Sequence, residues 1–412
     1  MDAATTAVEL ARFAADAAIS TLPGRELLAA AQPANWDAAF QVLAAALPDD
    51  SPAVVVIDEV PYLMDEDRVF EATLQRAWDR QLSRKPLLLV LIGSDLSMME
   101  ALNDYGRPFH QRGREMVVGP LNPADLAVLL HLAPADAIDA ALVTGGLPLI
   151  AAEWPAGATV DEFLRQTLRD PTSALLVSAE RSLAAEFPAQ VQARAVLTAI
   201  GSGERTFGNI ANAAGGIGGA SLQRSLSLLA DKRLVIGELP LSTKPSKDRR
   251  YRVTDPYLRF WLRFLADYTG EIERGRGDLT LDRMRRGWAA WRGRAVEPLI
   301  REALFRLLPD TQLPDVGAVG GFWTRNNQVE IDLIGADRGP VAQEIRFVGS
   351  IKWLDRAPFD AHDLSDLYRH RLALTDDLIP LVAVSRTGVS VTGVDATYGP
   401  PDLLAAWAHD PG

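Results

Sequence analysis

Two short unbroken apolar runs stand out from an otherwise amphipathic chain. Val54-Val55-Val56-Ile57 is β-branched and does not alternate, which predicts a strand buried on both faces of a parallel sheet. Leu87-Leu88-Leu89-Val90-Leu91-Ile92 is the second run; it follows a helical stretch from Phe70 to Ser83 and ends in Gly93-Ser94. Ahead of them, residues 4–47 read as alanine-rich amphipathic helix with breaks at Pro23-Gly24 and Pro33. Asn35 or Asp37 is placed to cap the last of these helices, and Trp36 and Phe40 are core residues by their spacing. Residues 121–190 read as helical throughout, with Asn122-Pro123 and Ala133-Pro134 opening two helices through a proline near the first helical position.

The pattern changes after residue 190. Gln192–Ile200 carries an apolar stripe, Thr206 is placed to cap Phe207–Ala214, and Ala220–Lys232 puts Leu222, Leu226 and Leu229 on one face. Strands at 234–237 and 251–253 flank the polar loop 242–250. Three short helices and a basic-tipped hairpin form the pattern of a winged helix. Beyond it, Trp288–Leu308 reads as one helix. Gly321-Phe322-Trp323-Thr324 leads through Asn326-Asn327 to the alternating strand Val329–Ile334, and a turn at 335–339 returns the chain as Val341–Phe347.

Composition narrows the classes. A 412-residue chain predicts two or three domains, and 48% hydrophobic with 23% charged residues is ordinary for a globular protein. With no cysteine, disulfide scaffolds and thiolate metal sites are excluded, and a reducing cytoplasm is the compartment that fits. No apolar run approaches the roughly 20 residues of a membrane helix, and Met1-Asp2-Ala3 opens no signal peptide. The net charge of −12 speaks against nucleic acid as a whole, but the acids cluster before residue 150 while 244–301 is arginine-rich. Local charge decides whether a phosphate backbone is attracted. The histidines are scattered without metal-ligand spacing.

Three sets of residues carry candidate chemistry. Asp58 and Glu59 close the first apolar run, and in open α/β sheets ligands sit beyond the carboxyl ends of strands. An acid pair there holds Mg²⁺ through its water shell and polarises an attacking water; the alternative is a solvated strand end. Ser94, at the tip of the second run, is of a kind that reaches a γ-phosphate. On the helix 220–232, Ser221, Gln223, Arg224 and Ser227 face outward, and Lys244, Lys247, Arg249 and Arg250 sit on the wing, positioned for DNA. The alternative is a basic hairpin that serves domain packing. In the last segment the spacing brings Asp332 and Glu344 to one end of a hairpin with Glu297 on a nearby helix, the metal cradle of Mg²⁺-dependent phosphodiester cleavage. The alternative is acids solvated on a surface hairpin.

With Tyr105-Gly106-Arg107, Met116–Leu121 and Gly145-Gly146-Leu147-Pro148, the stretch 40–190 resembles the archaeal-type AAA+ ATPases, a P-loop family. The resemblance implies an α/β fold of four parts. These are a parallel-sheet ATPase core at 1–120, a helical lid at 121–190, a winged helix at 191–265 and an α/β restriction-endonuclease-like domain at 266–412. It makes Asp58 and Glu59 the Walker B pair, with Asp58 toward the metal, and Ser94 the sensor-1 residue. Arg107 becomes the arginine before the next strand, contacting nucleotide in its own or a neighbouring subunit, and so implies a homo-oligomer. In the last domain it makes Glu297, Asp332 and Glu344 the acids of a PD-(D/E)XK core, with Asp332 and Glu344 on the metal and Arg346 where lysine is expected. An arginine is a poor proton acceptor, and Lys352 is a substitute from a neighbouring position. One departure is large: G-x-x-x-x-G-K-[ST] is absent, and the first lysine is Lys85. ATP and Mg²⁺ are therefore cofactors only where that loop is supplied, the expectation being an N-terminus that lacks it through truncation, with a degenerate ATPase as the alternative. Two other readings stand beside the ATPase: a silent DNA-binding or assembly module, and a Mg²⁺-dependent nuclease.

Overall fold

The computed structural model describes residues 3–94, 96–186, 191–326, 328–375 and 377–408. Helices and small sheets alternate along the chain, an α/β arrangement, and it divides into two compact units, residues 1–118 and 119–412.

In the first unit, proline and glycine divide the alanine-rich region into Ala3–Ala18, Arg25–Ala30 and Trp36–Ala46. Asn35 is extended and its Oδ1 accepts the Ala38 N–H at 2.9 Å, satisfying a donor that the helix cannot. Trp36, Phe40 and Phe70 are buried together, their ring centroids 5.0–6.0 Å apart. Strands β1 (Ala53–Ile57) and β2 (Leu87–Leu91) pair in parallel, Ala53 opposite Leu87 and Ile57 opposite Leu91. Burial on both faces is not what these strands show. Val55 and Ile57 enter the Phe40–Phe70 core, whereas Val54 and Val56 are 61% and 55% exposed. Side chains alternate along a strand, and the helices of this unit cover one face of the pair. Met116, Val117 and Val118 form no strand and lie exposed.

The second unit opens with Pro123–Leu130 and Pro134–Thr144, each with proline in its first turn; Asn122 and Asp125 cap the first reciprocally. The second helix ends at Gly145 and Gly146, with φ of 61° and 71°. There Leu121 donates its N–H to the Gly146 carbonyl at 2.8 Å, and a Cβ on Gly146 would lie 2.1 Å from the Leu121 oxygen. The glycines of the Gly145-Gly146-Leu147-Pro148 motif thus have a backbone reason of their own.

Helices Val191–Ser202, Phe207–Ala213 and Gly219–Asp231 pack through Leu197, Ile210, Leu222 and Leu226. Thr206 makes no side-chain cap bond. Antiparallel strands β3 (Val235–Glu238) and β4 (Arg250–Val253) follow, then helix Pro256–Phe264 capped by Asp255. The single helix expected over 288–308 is two, Gly277–Ala295 and Glu297–Leu307, parted at Val296. Pro298 has no amide to continue the first helix and sits in the opening turn of the second.

Five strands complete the unit in spatial order: β5 (Ala318–Trp323), β6 (Glu330–Ala336), β7 (Ile345–Lys352), β8 (Leu381–Ser385) and β9 (Ala396–Tyr398). The first three run antiparallel, and β7, β8 and β9 run parallel, with helix Ala361–Leu374 joining β7 to β8. Ile300 and Leu304 of the helix Glu297–Leu307 share a buried cluster with Leu333, Phe347 and Val382 of the sheet. The loop between β3 and β4 is bonded to this last segment: Leu241 N–H donates to the Gly321 carbonyl and Ala342 N–H to the Ser242 carbonyl, both at 2.9 Å.

Candidate functional site

The acids after β1 stand on a turn that the sequence makes unusual. Glu59 has a φ of 52°, a left-handed conformation uncommon outside glycine, at the entrance to helix Val60–Glu66. The Asp58 Oδ1 accepts the Glu59 N–H at 2.9 Å, and both side chains are exposed. Val60 donates to the Ile92 carbonyl at 3.0 Å, so the turn is tied to the end of β2. Ser94 follows two residues later and is exposed at the same edge of the sheet. One Asp58 oxygen is thus committed to the turn and the other faces solvent, a donor set that fits a cation held through water. Arg107 pairs with Glu71 Oε2 at 2.8 Å on the helix Phe70–Arg80. Burial raises the Glu71 pKa, and the Arg107 charge opposes that rise.

On the helix Gly219–Asp231, Gln223, Arg224 and Ser227 are exposed over the buried Leu222, Leu226 and Leu229. Lys244, Lys247 and Arg249 are exposed on the loop between β3 and β4. Arg250 is the exception and corrects the expectation of a phosphate-gripping residue. It is 7% exposed, donates through Nη1 to Glu330 Oε1 at 2.7 Å, and lies 4.6 Å over the Trp323 ring. Trp323 Nε1 in turn donates to the Asp248 carbonyl at 2.7 Å. This end of the hairpin packs against the C-terminal sheet, which is the packing alternative for that one residue.

The three-acid cradle is not assembled as the spacing implied. The pairing of Leu333 with Gly349 sets Asp332 opposite Ser350, while the Asp337 N–H bonds the Glu344 carbonyl. Asp332 and Glu344 therefore lie at opposite ends of the hairpin, five residues or roughly 17 Å apart along it. The turn begins later than its glycines indicate, and a register shift at Gly335/Ala336 completes the offset. Glu344 is exposed, and Arg346 pairs with Asp315 at 2.9 Å. Beside Asp332 stand Ser350, whose Oγ donates to Asp332 Oδ2 at 3.2 Å, and the Ile351 N–H at 3.0 Å. Lys352 pairs with Asp363 at 2.7 Å.

Glu297 does face Asp332, but Arg301 closes the pair. Its Nη2 donates to Glu297 Oε2 at 2.9 Å and to the Asp332 carbonyl at 2.6 Å, and Nε bonds the same carbonyl at 2.9 Å. Burial pushes Glu297 up to about 7, and burial raises Asp332 as well. A serine in place of the strand acid, and a guanidinium across the remaining pair, do not fit Mg²⁺ between Asp332 and Glu344. Among the described residues no group of three or more His, Cys, Asp or Glu is set to hold a metal ion.

These residues line a cavity of about 60 Å³ between β3–β4, the helix junction at Val296 and β6. Six arginines face it (Arg205, Arg250, Arg252, Arg259, Arg294, Arg301) against four carboxylates, Glu238, Glu297, Glu330 and Asp332. Burial works to raise Glu330, yet its bonds to Arg250 and the Arg205 charge hold it below the usual range. Arg205, Arg259, Arg294, Arg301 and Ser350 escaped the sequence reading. The signals were local: Arg301 is four residues after Glu297 on one helix face, and Glu330 and Asp332 alternate onto one face of β6.

The fold and these clusters define an α/β protein with a strand-end acid pair in one unit and an arginine-rich junction in the other. Residues 261–363 match DUF234, a family of archaeal and bacterial proteins of unknown function. The chain is also similar to an uncharacterized protein of Methanocaldococcus jannaschii, 26% identical over 352 residues, which cover 81% of this chain and 74% of the relative.

Proposed function

We propose that this chain is part of a DNA-associated ATPase of the AAA+ type, with Asp58 and Glu59 on the metal and water side of the nucleotide site. The observation that carries the reading is the shared edge. β1 and β2 are adjacent and parallel, and Asp58, Glu59 and Ser94 stand exposed where both strands end. In this reading Asp58 holds the water shell of a bound Mg²⁺, Glu59 accepts a proton from the attacking water, and Ser94 donates to a phosphate oxygen. Residues 1–412 contain no G-x-x-x-x-G-K-[ST] motif, so in this reading the triphosphate is gripped by groups other than that loop. The DNA side is the winged-helix reading of residues 191–265, supported by the exposed Arg224, Lys244, Lys247 and Arg249.

The test is ATP turnover by the protein expressed from its complete gene. Hydrolysis that falls at least a hundredfold in Glu59→Gln, with ATP still bound, supports the reading. Turnover unchanged in both Glu59→Gln and Asp58→Asn overturns it.

The second reading is a catalytically silent DNA-binding or assembly module. It is favoured by Arg107, which is engaged by the buried Glu71, and by the missing phosphate loop. DNA binding by a protein that hydrolyses no ATP in any form supports this alternative.

A further inference from the structure

The arginine-lined cavity at the junction is over-supplied with positive charge in a particular way. Arg250 and Arg205 share Glu330, Arg252 pairs with Glu238, and Arg301 with Glu297. Arg259 and Arg294 make no ion pair among the described residues. Arg259 spends two of its five N–H groups on the carbonyls of Arg294 and Ala295, at 3.2 and 3.4 Å, where the helix Gly277–Ala295 ends. A half-buried guanidinium with only long bonds to carbonyls is incompletely compensated, since charge-assisted bonds to an anion are shorter and about twice as strong. Burial pushes Arg259 down to about 10, so it remains charged at neutral pH. The acids do not redress the balance, because Glu297 at about 7 is half protonated there.

We propose that this cavity binds a single phosphate group, held by Arg259, Arg294 and Arg301. A volume of about 60 Å³ holds roughly four to six waters at 10–15 Å³ each, room for one tetrahedral oxyanion. Planar guanidinium forks supply the paired donors that phosphate oxygens accept. Arg301 contributes although it is bonded to Glu297, since only its Nε and Nη2 are used there. The site is independent of the nucleotide reading of residues 1–118 and adds a ligand to the other unit. Two sources share this chemistry: free inorganic phosphate, and the terminal phosphate of a DNA strand.

The experiment uses the full chain. Inorganic phosphate is titrated by calorimetry, and a blunt DNA duplex with 5′-phosphate or 5′-hydroxyl ends is titrated by fluorescence anisotropy. The proposal expects one phosphate site per chain, weakened tenfold or more by Arg259→Gln and by Arg294→Gln, while Arg369→Gln on the distant helix Ala361–Leu374 leaves it unchanged. Arg294 is exposed, so its variant folds even where the Arg259 variant does not. Inorganic phosphate binding that depends on Arg294 supports the site and names the free ion. A 5′-phosphate preference of tenfold or more that is lost in Arg294→Gln supports it and names the strand end. Absence of both, or phosphate binding indifferent to Arg294→Gln and Arg259→Gln, overturns the proposal.

Discussion

Arg292 Nη1 donates to Asp139 Oδ2 at 2.8 Å, and each side chain is 2% exposed. Among the described residues few ion pairs are so far from solvent, and this one is not alone. Arg386 Nη2 reaches the same Oδ2 at 3.0 Å, and Trp353 Nε1 donates to Oδ1 at 3.0 Å. One carboxylate on the helix Pro134–Thr144 therefore holds the helix Gly277–Ala295, the end of β7 and the end of β8 together. Burial still raises the Asp139 pKa, with both arginines opposing. Removing the acceptor leaves the buried Arg292, the part-buried Arg386 and an indole N–H without it, with only the more exposed Asp355 left to Arg292 and Asp136 and Asp355 to Arg386. Asp139→Ala is expected to destabilise the protein by about 3–5 kcal/mol, read by urea unfolding. Asp139→Leu combined with Arg292→Met recovers much of that loss, because no charge is stranded. Equal stability of the alanine variant and the wild type rejects the assignment.

The pH response of Glu297 has a definite sign. In the folded chain its pKa stands at about 7 against 4.5, through burial first and then the neighbouring Asp332 and Glu330, with Arg301 and Arg259 opposing. Between those values the folded chain keeps a proton that the unfolded chain has released. Stability therefore falls as pH rises from 4.5 to 7 and changes no further from this group above 7. The loss amounts to at most about 3.5 kcal/mol, at about 1.4 kcal/mol per unit of pKa. Glu297→Gln removes this slope, and the two stability curves are expected to converge toward pH 4.5 and separate toward pH 7, the variant lying higher. Parallel curves across that range contradict the shift.

What the sequence disclosed and what it hid divide along a physical line. Asn35, Pro123 and Pro134 announce helix starts through bonds made within four residues, and the helices open there. The apolar runs announce β1 and β2, but not that one face of the pair is uncovered, which depends on what packs from elsewhere. Pro298 was readable as a break and was overridden by an apolar spacing that continues across it. The β6–β7 register hid itself because Gly335 and Gly339 signal a turn that starts only after Asp337. Arg250 reads as one more wing cation; its burial is decided by Glu330 and Trp323, more than 70 residues away.

That long-range placement separates Arg250 from its neighbours in a measurable way. Arg250→Ala leaves Glu330 with Arg205 as its cation and removes the contact with Trp323, so it is expected to lower stability by about 1–3 kcal/mol. Lys247→Ala and Arg249→Ala, both exposed, are expected to change stability by less than about 0.5 kcal/mol. Thermal unfolding of the three variants side by side gives the answer. A stable Arg250→Ala protein contradicts the packing role.

The cradle geometry predicts the behaviour of the C-terminal segment toward Mg²⁺. Glu344 is far along the hairpin, Ser350 stands opposite Asp332, and Arg301 holds Glu297 and the Asp332 carbonyl. Plasmid incubated with the chain and Mg²⁺ is expected to show no nicking above the level of Asp332→Ala, and any shift of the melting temperature by Mg²⁺ is expected to be the same in Asp332→Ala as in the wild type.

Contact with DNA makes the last prediction, and it is quantitative in salt. Each phosphate neutralised by a side chain adds about −0.9 to the slope of log affinity against log salt. Arg224 donates to Ser221 Oγ at 3.0 Å on the same helix and is itself exposed, so it can turn to a phosphate; Lys247 stands exposed on the loop between β3 and β4. Arg224→Ala and Lys247→Ala are each expected to weaken duplex binding and to make the slope shallower by about 1, additively in the double variant. Arg250→Ala, whose charge is spent on Glu330, is expected to leave the slope unchanged in whatever fraction remains folded. A slope near zero in the wild type, or one that none of the exposed cations alters, removes DNA from the function of residues 191–265.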